Sequence, residues 1–189
     1  MSLRAISTIC FLLITLLSVA QNKNIPPIDK SPLDVSFFPN VYPILKIQDK
    51  APEPLCARVI YSRPQKNGRD VFGNLVEYGQ IWRLGANEAT EIEFYKDAKI
   101  ANKTIKKGRY TLYAIPNMEK WTIIINLDTD TWGAFKYDQK KDIVRVEVAP
   151  EKNTEPVEFY TMYFEKINKG ANLIIQWDTA KASLPILFN

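Results

Sequence analysis

From residue 56 onward, apolar and polar positions alternate with a period of two. Ala57, Val59 and Tyr61 alternate with Arg58 and Ser62, and Ile92 and Phe94 with Glu91 and Glu93. Trp121, Ile123, Ile125 and Leu127 fall on one face, with Thr122 and Asn126 on the other. Val144, Val146 and Val148 alternate with Arg145 and Glu147, and Val157–Phe164, Leu173–Trp177 and Ala182–Phe188 complete the series. Such alternation, rich in Val, Ile, Tyr, Phe and Trp, marks strands with one buried face. Turn signals fall between them at Lys107-Gly108, Pro116-Asn117 and Lys169-Gly170. The pattern predicts an all-β chain, a single antiparallel β-sandwich (jelly-roll or Ig-like) of roughly eight to ten strands with under about 10% helix. The one helix-like stretch is DVFGNLVEYG (70–79). Phe72, Leu75 and Val76 have helical spacing, but Gly73 and Gly79 limit it to about one turn.

The alternation does not extend upstream. Residues 21–54 hold seven of the 12 prolines. Proline fixes φ and lacks the N–H donor, so neither a central strand nor a helix is expected there. The reading is a Pro-rich extended arm over 21–54, disordered over 21–30. Its apolar patches VSFF (35–38) and YPILKI (42–47) should lie extended against the edge of a β-sandwich domain spanning 55–189. Residues 1–20 read as a signal peptide. Arg4 precedes an apolar run from Ile6 to Leu17, then the small residues Ser18 and Ala20. The run is shorter than the roughly 20 residues of a membrane span, and its flanks are those of a cleaved export signal. Cleavage is expected after Ala20. Gln21 stands where a lipid-anchored protein would carry Cys, so a periplasmic or secreted protein with no integral membrane span is expected.

Export changes the cysteine arithmetic. Of the two cysteines, Cys10 leaves with the signal, and Cys56 is left without an intramolecular partner. Cys56, between Leu55 and Ala57, reads as a small buried residue. The net charge of +4 is too mild to argue for nucleic acid. Histidine is absent from the 189 residues. That excludes Ser-His-Asp and Cys-His catalysis and the His-rich zinc sites. No Gly-x-Gly-x-x-Gly, P-loop or Ser-x-x-Lys pattern occurs. No cofactor is expected.

The segments YSRPQKNGR (61–69), VFGNLVEYG (71–79), WRLGANEAT (82–90), KGRYTLYAIP (107–116), WTIIIN (121–126) and WGAFKYD (132–138) follow one another in this order. With SPLDVSFFP (31–39) and the final strands, they resemble the secreted bacterial proteins grouped as the domain of unknown function 2911 family, over roughly residues 31–188. The resemblance implies an exported β-sandwich-like domain. It brings no catalytic residues.

The candidate site therefore rests on side-chain chemistry. Arg63, Arg69 and Arg83 occupy turn-rich segments beside Tyr61, Tyr78 and Trp82, and Asn87 and Glu88 follow Gly85. Guanidinium forks bind carboxylate, phosphate or hydroxyl groups, and aromatic faces stack on rings or cations. Tyr61, Arg63, Arg69, Arg83, Asn87 and Glu88 are the ligand-binding candidates. A bracing role competes with that one. Arg83 could pair with Glu88 or Glu91, and Asn87 and Thr90 could tie their own backbone. Strand alternation puts Trp82 and Leu84 on a buried face and Arg83 on the other.

Three functions stay open: a binding module for a small polar ligand (glycan, peptide or anionic metabolite) in the cell envelope, a carboxylate-driven hydrolase, or an envelope assembly protein whose arm reaches a partner. A hydrolase would use Glu88, Glu91 or Glu93. Glu91 and Glu93 share a strand face roughly 6.6 Å apart, which also describes an ordinary solvent face. Asn126, Asp128 and Asp130 mimic the start of a calcium loop, but Thr131 and Tyr137 stand where Gly and Glu are needed. No metal site is assigned. KTIKKGR (103–109) reads as a solvated turn.

Overall fold

A computed structural model describes residues 25–52 and 54–188. The expected signal peptide and the first residues of the arm lie outside the described residues. Ten strands form two antiparallel sheets, with 52% strand and 6% helix. The strands are β1 (Leu33–Phe38), β2 (Ala57–Ser62), β3 (Glu91–Phe94), β4 (Ala98–Ile100), β5 (Lys103–Ile105), β6 (Gly108–Ile115), β7 (Trp121–Asn126), β8 (Asp142–Val148), β9 (Glu151–Ile167) and β10 (Gly170–Phe188). One sheet has the order β1-β2-β3-β6-β7-β8, the other β5-β4-β10-β9.

One apolar core joins the inner faces. Val59, Ile92, Leu112, Ile123 and Ile125 of the larger sheet meet Met162, Phe164, Leu173, Ile175 and Ile186 of the smaller. These are the apolar members of alternating segments, which explains why the sheets face each other. Aromatic rings fill the end of the core nearest the 82–90 loop. Trp82 stacks on Trp177 at 6.3 Å and meets Tyr160 at 5.3 Å and Trp121 at 6.0 Å edge-on. A smaller cluster, Ala89, Tyr113 and Ile124, lies apart from this core, with Ala134 and Tyr137 of the 127–141 loop packed on it.

The arm departs from expectation in one place. VSFF belongs to β1, which pairs along its whole length with β2, from Leu33↔Ser62 to Phe38↔Ala57. It is an edge strand, and Pro32 and Pro39 flank it rather than interrupt it. YPILKI is not extended but helical, as α1 (Tyr42–Ile47). Pro43 sits in its first turn, where the missing N–H has no partner to lose and the fixed φ suits a helix.

Elsewhere, residues 70–79 form turns rather than a helical turn. Gly73 and Gly79 take φ of 88° and 74°, and Phe72 bridges Val76. Leu127 is exposed, because β7 ends at Asn126 after a register shift. β6 shows no alternation because Tyr110 to Ala114 are all buried. A strand covered on both faces loses the period of two. The two final segments are one strand, β10, with irregular pairing between Gln176 and Ala180.

Candidate functional site

The stretch IWRLGANEAT is a corner tied to itself and to Ser62. Trp82 exchanges two backbone hydrogen bonds with Ala114, of 2.7 and 2.9 Å, and so extends β6's sheet locally. Its indole N–H then donates to the Gly85 carbonyl at 3.2 Å. Leu84 is buried with φ of 57°, and Thr90 holds that turn: its hydroxyl donates to the Leu84 carbonyl at 2.5 Å and its N–H to the Arg83 carbonyl at 3.1 Å. The Ser62 hydroxyl accepts from Ala86 N–H at 2.7 Å and donates to the Ala86 carbonyl. Gly85 has φ of 148°, and a Cβ there would lie 2.8 Å from Ser62 Oγ, so this close approach requires glycine.

Once the corner is tied, Arg83 is left over. Its guanidinium makes no hydrogen bond and no ion pair with any described residue, and Nε is buried. Neither Glu88 nor Glu91 reaches it; Glu91 instead pairs with Arg109 at 3.4 Å. Burial lowers the Arg83 pKa. Arg83 lines a cavity of about 210 Å³ together with Arg69, Trp82, Trp177, Gly85 and Ala86. Ser31 of the arm stands at the same cavity, and no acidic side chain lines it. Arg69 is half-committed: its guanidinium caps the Lys66 and Gln65 carbonyls at 2.9 and 2.5 Å. The Tyr160 hydroxyl is the second buried side-chain group without a partner among the described residues. Tyr160 packs on Trp82 and Trp177, which form the cavity wall.

The other candidates separate. Arg63 braces the sheets: it pairs with Asp34 at 3.0 Å and donates to the Thr161 hydroxyl and the Tyr160 carbonyl. Tyr61 is a core residue, edge-on to Tyr160 at 5.8 Å, with burial first among the causes that raise its pKa. Asn87 takes φ of 56°, and its carbonyl accepts from Gly133. Glu88 pairs by backbone with Trp132 and lines a different cavity with Leu33, Ala89 and Glu91. The structure thus unites Arg69 and Arg83, and parts them from Arg63 and Glu88. Trp82 and Leu84 are buried, as alternation predicts. The clamp by Ser62 carried no sequence signal of its own, because a serine ending a strand is common.

The carboxylates weighed for hydrolysis or calcium, other than Glu88, are occupied. Glu93 accepts from Arg58 at 2.8 Å and from the Tyr95 hydroxyl at 2.9 Å. Asn126 donates to Asp142, Asp128 pairs with Lys141 at 2.8 Å, and Asp130 pairs with Arg109. Among the described residues no group of three or more His, Cys, Asp or Glu is arranged to hold a metal ion. Cys56 is partly buried, and burial raises its pKa.

The sequence model of the family described as "Protein of unknown function (DUF2911)" matches residues 47–186. The chain belongs to this family. It matches no curated protein and no solved structure. The match takes in the 82–90 corner, both cavity arginines and Trp177. The arm's helix enters it only at its last residue, Ile47. Among the described residues no helix is long and apolar enough to cross a membrane.

Proposed function

We propose that the chain is an exported binding protein for a small anionic ligand, held in the Arg69–Arg83 cavity. The observation that carries the reading is the Arg83 guanidinium, half-buried and without a partner among the described residues. A buried charge that meets no counter-charge costs stability unless something pairs with it. No described acidic side chain lines the cavity. A carboxylate or phosphate group on a ligand supplies the missing partner, and a planar guanidinium receives either in a two-pronged fashion. The walls formed by Trp82, Trp177, Leu75 and Val76 suit an apolar body attached to that anionic head. The cavity, about 210 Å³, is smaller than the roughly 300–1,000 Å³ of drug-sized sites, which favours a metabolite-sized ligand. Export is supported by the apolar run at Ile6–Leu17 and the small residues before Gln21.

A thermal-shift series with phosphate, sulfate and mono- and dicarboxylates tests the reading. A ligand present at about a hundred times its Kd should stabilise the chain by about 2.7 kcal/mol. That gain should vanish in Arg83→Ala. No shift with any anion, or a shift that Arg83→Ala retains in full, contradicts it.

A further inference from the structure

We infer that the chain carries a second site, for a neutral oligosaccharide, built around Trp132. This inference rests on no part of the anion reading. Trp132 is 62% exposed, unusual for an indole on a loop that is otherwise tied down. Two cavities share it: one of about 340 Å³, lined with Glu88, Glu91 and Leu33, and one of about 370 Å³, lined with Tyr113, Phe135 and Lys136. Asp130 and Thr131 belong to both.

The loop that presents Trp132 is fixed from several directions. Ala89 N–H donates to the Thr131 carbonyl at 3.0 Å, and Gly133 N–H to the Asn87 carbonyl at 2.9 Å. Asp130 N–H donates to Glu91 Oε1 at 2.6 Å. The Tyr113 and Thr131 hydroxyls bond at 3.2 Å. A Cβ at Gly133, with φ of 67°, would meet the Phe135 ring at 2.7 Å, so glycine lets that ring fold back over the loop. An exposed aromatic on a backbone held this firmly has less entropy to lose when a ligand stacks on it than one on a loose loop.

The polar groups around it decide the ligand class. The Glu88 carboxylate and the Lys136 ammonium have no side-chain partner among the described residues, and one lines each cavity. Glu91 and Asp130 share the single positive charge of Arg109. A ligand that spans both cavities meets Glu88 in one and Lys136 in the other, so neither a cation nor an anion suits the whole. A pyranose satisfies both, because its hydroxyls donate to carboxylate and accept from ammonium while its C–H face covers the indole. Two cavities that share one indole accommodate a chain of rings rather than a single sugar.

A glycan microarray probed with the full chain, with Trp132→Ala, Glu88→Ala and Arg83→Ala in parallel, tests the inference. The expected result is binding to one or more neutral oligosaccharides, more weakly to their monosaccharides. Affinity should fall roughly tenfold or more in Trp132→Ala, be reduced in Glu88→Ala and be unchanged in Arg83→Ala. Both side chains altered for this site are exposed, so melting temperature should hold in each. Three results overturn it: no glycan bound by the wild-type chain, binding that survives Trp132→Ala and Glu88→Ala, or binding abolished by Arg83→Ala alone. Retention of tetramethylammonium by the Trp132 site in place of any sugar also overturns it.

Discussion

Ser62 and Ala86 hold each other twice, through one hydroxyl that accepts the Ala86 N–H at 2.7 Å and donates to the Ala86 carbonyl. The two residues are 24 positions apart, and this pair fixes the end of β2 to the corner that presents Arg83. Ser62 is buried, so its loss leaves both Ala86 groups without that partner. Ser62→Ala should cost about 1–3 kcal/mol. Urea unfolding gives the number, and a cost near zero would mean that the clamp is incidental.

Tyr160 makes the opposite prediction. Its hydroxyl is fully buried among Tyr61, Trp82 and Trp177 and has no partner among the described residues. An unpaired buried hydroxyl costs about 1–3 kcal/mol in protein interiors. Tyr160→Phe removes only that atom and should leave stability unchanged or raise it. Trp82→Ala, by contrast, empties the middle of the same ring cluster and should cost about 3–5 kcal/mol. Paired melting curves of the two variants check both signs.

Much of this architecture is legible in the sequence, and the illegible parts have specific causes. β2, β3, β7 and β8 announce themselves because one face of each is apolar. β6 does not, since the 127–141 loop and its Ala134 and Tyr137 pack with Tyr113 on the face that alternation would leave polar. α1 is hidden by Pro43, a helix breaker everywhere except the first turn, where it sits. At the site, Arg69, Arg83 and the buried Trp82 could be named from residue type. Their separation from Glu88 could not. Left-handed φ values at Leu84 and Asn87, of 57° and 56°, turn the chain between them, and no β propensity encodes that.

The 127–141 loop has an alkaline limit. The Tyr137 hydroxyl donates to Asp142 at 2.6 Å and accepts from Arg145 at 2.5 Å. Burial first, and the Asp142 bond second, push its pKa up from 10.0 to about 12. The folded state therefore holds this proton more tightly than the unfolded state. The resulting stabilisation is complete below pH 10 and is lost as pH rises through about 12. Tyrosinate absorbance of wild type minus Tyr137→Phe should show one group titrating near the upper end of that range. A difference spectrum centred at pH 10 would contradict the assignment.

The ion pairs on the β2–β3 pair are a weaker part of the structure. Arg58 and Glu93 meet at 2.7 Å but are about a third exposed. Such pairs contribute roughly 0–1 kcal/mol. Glu93→Gln should therefore leave the melting curve within that margin. A larger loss in low salt that disappears in high salt would show the pair to be stronger than its exposure implies.

Arg83 either braces the fold or waits for a ligand. The most direct measurement is the unfolding free energy of Arg83→Ala against wild type, both without ligand. A guanidinium with no partner among the described residues leaves none of them unpaired on removal, so a difference within about 0.5 kcal/mol, or a gain for the variant, is expected. A loss of about 1–3 kcal/mol, the cost of leaving bonded partners empty, would contradict it and make the corner a structural tie alone.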